Sequence, residues 1–358
     1  MTIDCSKVLA LQIGDHVAVV MKNNDDTIWE FASRHNLDLN TELTMKDDTL
    51  SEQWKERLDF DGLDHTVYNL LSCAKLSGLT GSSISLQNLR SKLNPEEPRL
   101  YSYATVHPSS HEKEGCVSSF DILVTRTNAG GCSAFLHESV GCEISFGLST
   151  ATKCHIPTIT TRPLVVIAAG SGLGTYLPLL VNNNIINPKY AFLAYRTENT
   201  VPYLETHLKE AVNYGKLQLF VELSREDRTI VTSHRALIRK QTKKRYIDQL
   251  LRDQRELIRE LAAPIDEGGM EASFYVCGNN EFFKTVRLTL EAIDDGIVNS
   301  LVHGNRLQLE VQARGGLDGK EDCKPMKLTE TCFHNKMNDF WTIIDGTVYD
   351  FTGKHDIA

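Results

Sequence analysis

The chain has 358 residues, 41% of them hydrophobic, which is enough apolar material for two or more buried cores. Its formal net charge of −9 argues against a nucleic-acid partner, and no apolar run reaches the roughly 18 residues of a membrane-spanning helix. There is no signal-peptide pattern at the N-terminus, and the nine scattered cysteines form neither a disulfide framework nor a zinc motif. We therefore expect a cytoplasmic protein without a transmembrane segment.

The first part of the chain has the pattern of a β domain interrupted by helices. Residues 8–20 predict two strands broken at Gly14-Asp15, and because no strand pattern precedes them we expect this domain to be incomplete at its N-terminus. Helical spacing occurs at residues 27–34, 50–58 and 66–76, and strand patterns occur at 99–105, 118–125 and 141–147. We predict an antiparallel β-barrel formed by residues 1–26 and 95–160, with a helical insertion over residues 27–94.

Residues 161–312 alternate strands with helices, which is typical of a doubly wound parallel sheet in an α/β domain. The predicted strands are 164–169, 190–195, 217–223 and 273–277, and the predicted helices are 174–182, 201–214, 235–262 and 281–293. The helix over residues 235–262 is long and basic. Residues 313–326 have the composition of a linker, and residues 327–358 contain one strand-like run near 341–344.

A glycine-rich loop, Gly170-Ser171-Gly172-Leu173-Gly174, follows the first strand of the α/β domain. The order of strand, glycine turn and helix allows backbone N–H groups and a helix N-terminus to bind a phosphate. The same pattern is also compatible with a tight turn that binds nothing.

The segment Arg99-Leu100-Tyr101-Ser102-Tyr103 is a second candidate for ligand binding. On a regular strand Arg99, Tyr101 and Tyr103 share one face and Ser102 lies on the other, so Ser102 reaches the same ligand only through a turn or bulge. Arg99 could pair with a pyrophosphate and Tyr101 could stack on a flat ring. The alternative is an edge strand with a solvated arginine and tyrosines in the core.

Gly130-Gly131-Cys132-Ser133 precedes an apolar helical start and is a second possible phosphate-binding helix N-terminus. A plain helix cap at Ser133 explains the pattern as well.

Further candidates follow two strands of the α/β domain. Ser224-Arg225 ends the strand 217–223, where ligands bind in open α/β sheets, and Lys243-Lys244-Arg245-Tyr246 lies on the predicted basic helix. These cations, the hydroxyl and the ring suit a ribose 2′-phosphate and an adenine, which favours NADP over NAD; a solvated basic helix face is the alternative. Cys277-Gly278 ends another strand, where the thiol either contacts a nicotinamide or is inert packing.

Taken together, these motifs occur in the order and approximate spacing of the ferredoxin–NADP reductase superfamily. They are Arg99-x-Tyr101-Ser102, Gly131-Cys132-Ser133, Gly170-Ser171-Gly172, Ser224-Arg225, Lys244-x-Tyr246 and Cys277-Gly278. Because of the helical insertion, the chain resembles the diflavin branch of that superfamily, which includes NADPH–cytochrome reductases, the sulfite reductase flavoprotein and the nitric oxide synthase reductase domain. The similarity covers roughly residues 8–312, which implies an FAD-binding barrel followed by an NADP-binding domain.

The resemblance also implies roles for single residues. For FAD, the implied contacts are Arg99, Leu100, Tyr101 and Ser102 at the phosphate and the flavin, with Ser102 near the reactive N5, and Gly131, Cys132 and Ser133 at the pyrophosphate. For NADPH, they are Gly170, Ser171, Gly172 and Arg196 at the pyrophosphate, Ser224, Arg225, Lys244 and Tyr246 at the 2′-phosphate and ribose, and Cys277 and Gly278 at the nicotinamide. Ser102, Cys277 and Glu310 are the implied catalytic residues. Glu310 stands where the family has a catalytic aspartate, and Gln312 where it has an aromatic lid.

The tail and the missing FMN domain qualify the implied electron path. This chain contains no flavodoxin-like FMN domain. Residues 327–352 resemble the start of cytochrome b5, but the family's His-Pro-Gly-Gly haem-ligand motif is not present, so a haem site is not supported and we expect a truncated b5-like segment.

The function implied is that of an NADPH-dependent FAD flavoprotein reductase. Hydride would pass from NADPH to N5 of FAD, and electrons would then pass to an FMN domain or a haem protein as partner. Two alternatives stay open: a two-electron flavin reductase of small acceptors, and a non-functional cofactor-binding fragment of a larger reductase.

Overall fold

The computed structural model of the chain describes residues 1–10, 15–19, 21–43, 65–76, 79, 84–86, 88–94, 96, 99–107, 116–125, 132–141, 144, 146–149, 162–182, 185–311, 335–336, 339–344 and 347–350. The chain divides into two compact units, Met1–His155 and Ile156–Ala358. Four sequence-based predictions lie outside the described residues: the helix at 50–58, the glycine pair Gly130-Gly131, the linker at 313–326 and the role of Gln312.

The first unit contains strands and short helices. In chain order they are β1 (Thr2–Ala10), β2 (His16–Val19), α1 (Asp25–His35), β3 (Glu42–Leu43), β4 (His65–Thr66), α2 (Val67–Cys73), α3 (Leu89–Lys92), β5 (Arg99–His107), β6 (Cys116–Ile122), α4 (Cys132–Glu138) and β7 (Phe146–Ser149).

Five of these strands form one antiparallel sheet in the order β1-β6-β5-β2-β7. Its apolar face packs against α4 in a core that includes Val17, Tyr103, Phe120, Ile122 and Leu136. The sheet agrees with the predicted antiparallel β domain and carries the Arg99 segment on β5.

The prediction that no strand precedes residue 8 is wrong. β1 begins at Thr2, pairs with β6 through Thr2 and Asp121, and buries Ile3. The Thr2 hydroxyl also donates a 2.6 Å hydrogen bond to the Asp121 carboxylate. Polar residues alternate with Ile3 at this end, and such a half-buried strand gives a weaker sequence signal than a fully apolar run.

The helical insertion has a core of its own. Ile28, Phe31, Leu70, Leu71 and Leu89 are buried together. Helix α1 begins after Asn24, whose side chain accepts a hydrogen bond from the N–H of Thr27, and it ends at Asn36 in the left-handed conformation. The helices predicted at residues 27–34 and 66–76 are therefore confirmed as α1 and α2.

The second unit alternates strands and helices. In chain order they are β8 (Leu164–Ala169), α5 (Leu173–Val181), β9 (Lys189–Tyr195), α6 (Lys209–Asn213), β10 (Leu217–Leu223), β11 (Arg228–Ser233), β12 (Ala236–Gln241), α7 (Ile247–Asp253), α8 (Arg255–Ala262), β13 (Ser273–Gly278), α9 (Asn280–Ile293), α10 (Ile297–His303), β14 (Leu307–Val311), β15 (Asn335–Lys336), β16 (Asp339–Ile344) and β17 (Thr347–Asp350).

A seven-stranded sheet organises this unit, in the order β12-β11-β10-β9-β8-β13-β14. Strands β10, β9, β8, β13 and β14 are mutually parallel, as predicted. Strands β11 and β12 are antiparallel additions at one edge of the sheet. The chain runs outward from β8 through β9 and β10, and later returns to place β13 on the other side of β8. The carboxyl ends of β8 and β13 therefore form a topological switch point, where open α/β sheets bind ligands.

The long basic helix predicted over residues 235–262 is wrong for residues 235–246. Residues 236–241 form β12, the second strand of a hairpin with β11, and helix begins only at Ile247 and is interrupted at Gln254. β-Branched residues of β11, among them the buried Ile230, pair with the edge of β10. His234 and Arg235 turn the hairpin with φ of 49° and 62°. Lys243 and Lys244 consequently precede helix α7.

The tail contains a three-stranded antiparallel sheet of β15, β16 and β17. The strand-like run predicted near residues 341–344 lies in β16. In the part of the chain that the structure describes, no helix has both the length and the apolar character needed to cross a membrane.

Candidate functional site

The glycine loop lies at the switch point of the parallel sheet. β8 ends at Ala169, and Gly170–Gly172 form a 3-10 turn that leads directly into helix α5. Gly170 has φ of 59°, a conformation that glycine adopts without strain. A Cβ added to Gly172 would lie 2.9 Å from both the carbonyl oxygen and the Sγ of Cys277. The turn is therefore packed against the end of β13.

Tyr195 is hydrogen-bonded to this turn through its side chain. Its hydroxyl donates a 2.7 Å hydrogen bond to the carbonyl of Gly170. Burial raises the pKa of the Tyr195 hydroxyl well above its usual range, so the group stays a neutral donor. Sequence reasoning missed Tyr195. The pairing of Ala169 with Ala194 in parallel strands β8 and β9 places Tyr195 beside Gly170, and strand register is the signal that could have found it.

The carboxyl ends of β9 and β10 are joined by main-chain hydrogen bonds. The N–H of Ser224 donates to the carbonyl of Tyr195 at 3.0 Å, and the N–H of Arg225 donates to the carbonyl of Arg196 at 2.9 Å. The Ser224 hydroxyl also reaches the Tyr195 carbonyl at 3.3 Å. Both arginine side chains are exposed, so two cations are presented at the same end of the sheet as the glycine turn.

The β11–β12 hairpin returns the chain to this place. The N–H of Thr242 donates a 2.7 Å hydrogen bond to the carbonyl of Asp227. Lys244 therefore lies two residues after Thr242, and Arg225 lies two residues before Asp227. The Lys244 ammonium lies 5.9 Å from the centroid of the Tyr246 ring, which is 53% exposed. The predicted set of Ser224, Arg225, Lys244 and Tyr246 is thus brought together at the base of the β11–β12 hairpin.

A contact between the buried Glu222 and Arg245 links the strand that precedes Ser224 to the segment that carries Lys244 and Tyr246. Glu222 is 1% exposed, its Oε2 accepts from the Thr229 hydroxyl at 2.9 Å, and Arg245 Nε lies 3.6 Å away. Burial raises the pKa of Glu222, while Thr229 and Arg245 oppose that shift. Arg245 also binds Asp253 at 2.5 Å. Sequence reasoning named Arg245 only as part of a basic run and missed Glu222.

A second ionic cluster holds the hairpin to the segment that follows Arg196. Arg239 binds Glu198 and, at 2.6 Å, Glu205, and Arg228 binds Glu198 at 3.2 Å. The neighbouring guanidinium of Arg239, followed by that of Arg228, holds the pKa of Glu198 below its usual range. Sequence reasoning missed this cluster because Arg239 lies on β12, within residues that were predicted as helix.

The end of β13 has two close neighbours. Cys277 is buried and is paired with Glu310 of β14, the residue predicted to replace a catalytic aspartate. A Cβ added to Gly278 would lie 2.5 Å from the Phe282 ring. The main chain thus places the predicted catalytic pair Cys277 and Glu310 side by side at the switch point.

In the first unit, β5 brings the Arg99 segment to helix α4. The Tyr101 hydroxyl and the Cys132 thiol form a hydrogen bond, burial raises the pKa of both groups, and the Arg99 charge opposes both shifts. Arg99 is exposed and Tyr101 is half-buried, as is Ser133 next to Cys132. Leu100 is 47% exposed on the alternate face. The two FAD motifs predicted from sequence therefore meet at Tyr101 and Cys132.

Ser102 pairs with His16 of β2 and is half-buried. The pairing of β5 with β6 is irregular between Tyr103 and Thr105, directly after Ser102. This irregularity follows Ser102, and the pairing of β5 with β2 is regular from Arg99 to Ser102, so the strand alternation keeps Ser102 on the face opposite to Tyr101. Gly131 of the same predicted site lies outside the described residues.

The comparisons with known proteins are sparse. No protein-family model matches the chain. A curated protein from Bombyx mori described as "Nitric oxide synthase-like protein" is 27% identical over 242 residues, which cover 63% of this chain and 20% of that protein. The chain thus matches about a fifth of the length of this relative.

Proposed function

We propose that the chain is an NADPH-oxidising flavoprotein reductase of the diflavin branch of the ferredoxin–NADP reductase superfamily. The observation that carries the proposal is the meeting of the Gly170 turn, the Ser224-Arg225 pair, the Lys244-Tyr246 pair and Cys277 at the carboxyl edge of one parallel sheet. The similarity to a nitric oxide synthase-like protein supports an oxidoreductase that uses a flavin and NADPH.

The candidate site of the second unit fits NADPH. An added Cβ at Gly170 meets no described atom within 4 Å, so the space above the turn is open to a phosphate, while Gly172 has no room for any side chain. Gly170, Ser171 and Gly172 would bind the pyrophosphate at the start of helix α5, with Arg196 nearby. Ser224, Arg225, Lys244 and Tyr246 would bind the 2′-phosphate and the adenosine through cations, a hydroxyl and an exposed ring.

The first unit fits FAD. Arg99 is an exposed cation that would bind a phosphate, and half-buried Tyr101, held by its bond to Cys132, would lie against the flavin ring. Bound FAD would supply the chemistry, accepting a hydride from NADPH and releasing electrons to an acceptor. The residues of the chain bind and orient, with Ser102, Cys277 and Glu310 as the proposed residues at the reacting atoms. We propose an FMN domain or a haem protein as the acceptor.

Purified protein tests the proposal directly. We expect bound flavin with its visible absorbance, and NADPH-driven reduction of ferricyanide. Cytochrome c reduction by the chain together with an FMN domain would support a one-electron partner, whereas activity on quinones or ferric chelates alone would support the two-electron alternative. A chain that binds no flavin and oxidises no NADPH contradicts the proposal and agrees with a non-functional fragment.

A matched pair of variants tests the 2′-phosphate site. Arg225→Leu removes an exposed cation at the end of β10 and should abolish most of the preference for NADPH over NADH. Arg252→Leu removes an exposed cation from helix α7 and should leave the preference unchanged. Equal effects of the two substitutions would contradict the assignment of Arg225.

A further inference from the structure

Tyr195 is bonded to two parts of the nucleotide site at once. Its hydroxyl donates to the carbonyl of Gly170 at 2.7 Å. Its own carbonyl accepts from the N–H of Ser224 at 3.0 Å and from the Ser224 hydroxyl at 3.3 Å. The glycine turn and the Ser224-Arg225 pair are consequently connected through this one residue, by its side chain on one side and its main chain on the other.

The two connections differ in how much they depend on the Tyr195 side chain. The main-chain bond to Ser224 continues the ladder between β9 and β10, so any residue at position 195 can make it. The bond to Gly170 needs the phenolic hydroxyl. Gly170 has φ of 59°, and a Cβ added to it would meet no described atom within 4 Å. A glycine can leave such a conformation for many others. The hydroxyl therefore selects one conformation of the turn.

We propose that Tyr195 is a positioning residue for the nucleotide, which holds the glycine turn in its phosphate-binding conformation at a fixed distance from the 2′-phosphate residues. This inference rests on the proposed function. It predicts that loss of the hydroxyl weakens ligands that occupy both subsites and spares ligands that occupy only the 2′-phosphate subsite.

Two small ligands separate these subsites. 2′,5′-ADP carries one phosphate for Ser224 and Arg225 and a second at the 5′ position for the glycine turn, whereas 2′-AMP carries only the first. Calorimetric titration of Tyr195→Phe should show binding of 2′,5′-ADP weakened by about five- to tenfold, the size expected for loss of one buried hydrogen bond. Binding of 2′-AMP should change by less than about twofold, because the main-chain bonds to Ser224 remain.

Tyr190→Phe is the matched control. Tyr190 lies on the same strand, is 6% exposed and packs in the core of the second unit. Its substitution removes a hydroxyl from the other end of β9 and should leave both affinities unchanged. Thermal unfolding of both variants shows whether they fold.

Gly170→Ala tests the same turn without changing Tyr195. The added methyl has room, but alanine disfavours a φ of 59°. This variant should also weaken 2′,5′-ADP and spare 2′-AMP. It keeps the inference testable if Tyr195→Phe does not fold.

The outcomes separate the inference from the function on which it rests. If the wild-type protein binds neither ligand, the proposed function fails and the inference fails with it. If the wild-type protein binds both, the inference alone is overturned when Tyr195→Phe leaves 2′,5′-ADP binding unchanged, or weakens both ligands equally.

Discussion

The N–H of Thr242 and the carbonyl of Asp227 are joined by a 2.7 Å hydrogen bond at the base of the β11–β12 hairpin. Fourteen residues separate the two in sequence, and the hairpin of β11 and β12 occupies the whole interval. Because the chain leaves and returns at one point, Arg225 and Lys244 can serve a single ligand. The hairpin extends the edge of the sheet without dividing the proposed 2′-phosphate site.

Removing the hydrogen-bond donor at this closure should loosen the site. Thr242→Pro deletes the N–H, and we expect NADPH and 2′-AMP to bind about fivefold more weakly, as expected for loss of one main-chain hydrogen bond. Thr242→Val keeps the N–H and the branched shape, and serves as the control. Titration of both variants with 2′-AMP checks the prediction, which is contradicted if the two variants bind equally well.

Gly172 should tolerate no side chain. A Cβ there would lie 2.9 Å from the main-chain oxygen and the Sγ of Cys277, and the oxygen cannot move without displacing β13. We expect Gly172→Ala to lower the free energy of unfolding by about 1–3 kcal/mol, as overpacking does elsewhere, and to weaken NADPH binding. Urea unfolding and NADPH titration measure the two effects.

Gly296→Ala is the control for Gly172→Ala. An added Cβ at Gly296 meets only the Asp294 side chain, at 3.6 Å, and φ there is −93°. The cost should stay below about 1 kcal/mol, the size expected for alanine in place of glycine at a helix N-cap. Equal destabilisation of the two variants would show that contact with Cys277 is not the cause.

The parts of the fold that were predicted best are those whose sequence pattern has one explanation. β8 has the predicted bounds, Leu164–Ala169, because a strand buried on both faces is an unbroken apolar run. The strand that ends with Cys277 was found for the same reason, and the glycine motif was recognised because it directly follows β8. Residues of the candidate site that follow such strands could be placed from sequence.

The hairpin and Tyr195 could not be predicted from local pattern. Residues 235–245 are rich in arginine and lysine, which favour helix, and the turn at His234 and Arg235 uses positive φ without glycine. Pairing with the exposed edge of β10 decides the structure, and that is a tertiary effect. The contact between Tyr195 and Gly170 depends on the register of β8 and β9, which neither strand encodes alone.

Glu198 should contribute more to stability than an exposed ion-pair carboxylate. It contacts both Arg228 and Arg239 and its side chain is 22% exposed, so we expect Glu198→Gln to cost about 1 kcal/mol. Glu30→Gln breaks an exposed pair with Arg34 within α1 and should cost less than about 0.5 kcal/mol. Urea unfolding at neutral pH measures both.

The Glu198 contribution also has a defined pH dependence. The pKa of Glu198 lies below its unfolded value because of Arg239 and Arg228. Its stabilisation is therefore complete above an unfolded pKa of about 4.3 and is lost as the pH falls through the lower folded value. The difference between wild type and Glu198→Gln should shrink in acid, and a difference that stays constant down to the acid transition would contradict this prediction.

Lys189 should also make the free energy of unfolding rise with pH, but at the alkaline end and because its charged form is disfavoured by burial. The residue is 2% exposed at the start of β9, and its ammonium donates to the carbonyls of Leu180 at 3.3 Å and Asn182 at 2.7 Å. Burial, and then the charge of Lys216, lower the pKa of Lys189 to about 8. The unfolded chain, with a lysine pKa of about 10.4, therefore binds more protons than the folded chain between these two values. The free energy of unfolding consequently rises with pH across this window.

A comparison of wild type with Lys189→Met tests this pH dependence, because the variant keeps the approximate length of the side chain and removes its charge. Between pH 7 and pH 10, wild type should gain about 2–3 kcal/mol relative to the variant, as the cost of burying the ammonium is relieved by deprotonation. Urea unfolding of both proteins at the two pH values gives the difference, and the loss of the two carbonyl contacts in the variant cancels because it is present at both. Parallel pH profiles for the two proteins would show that Lys189 does not change its protonation in this range.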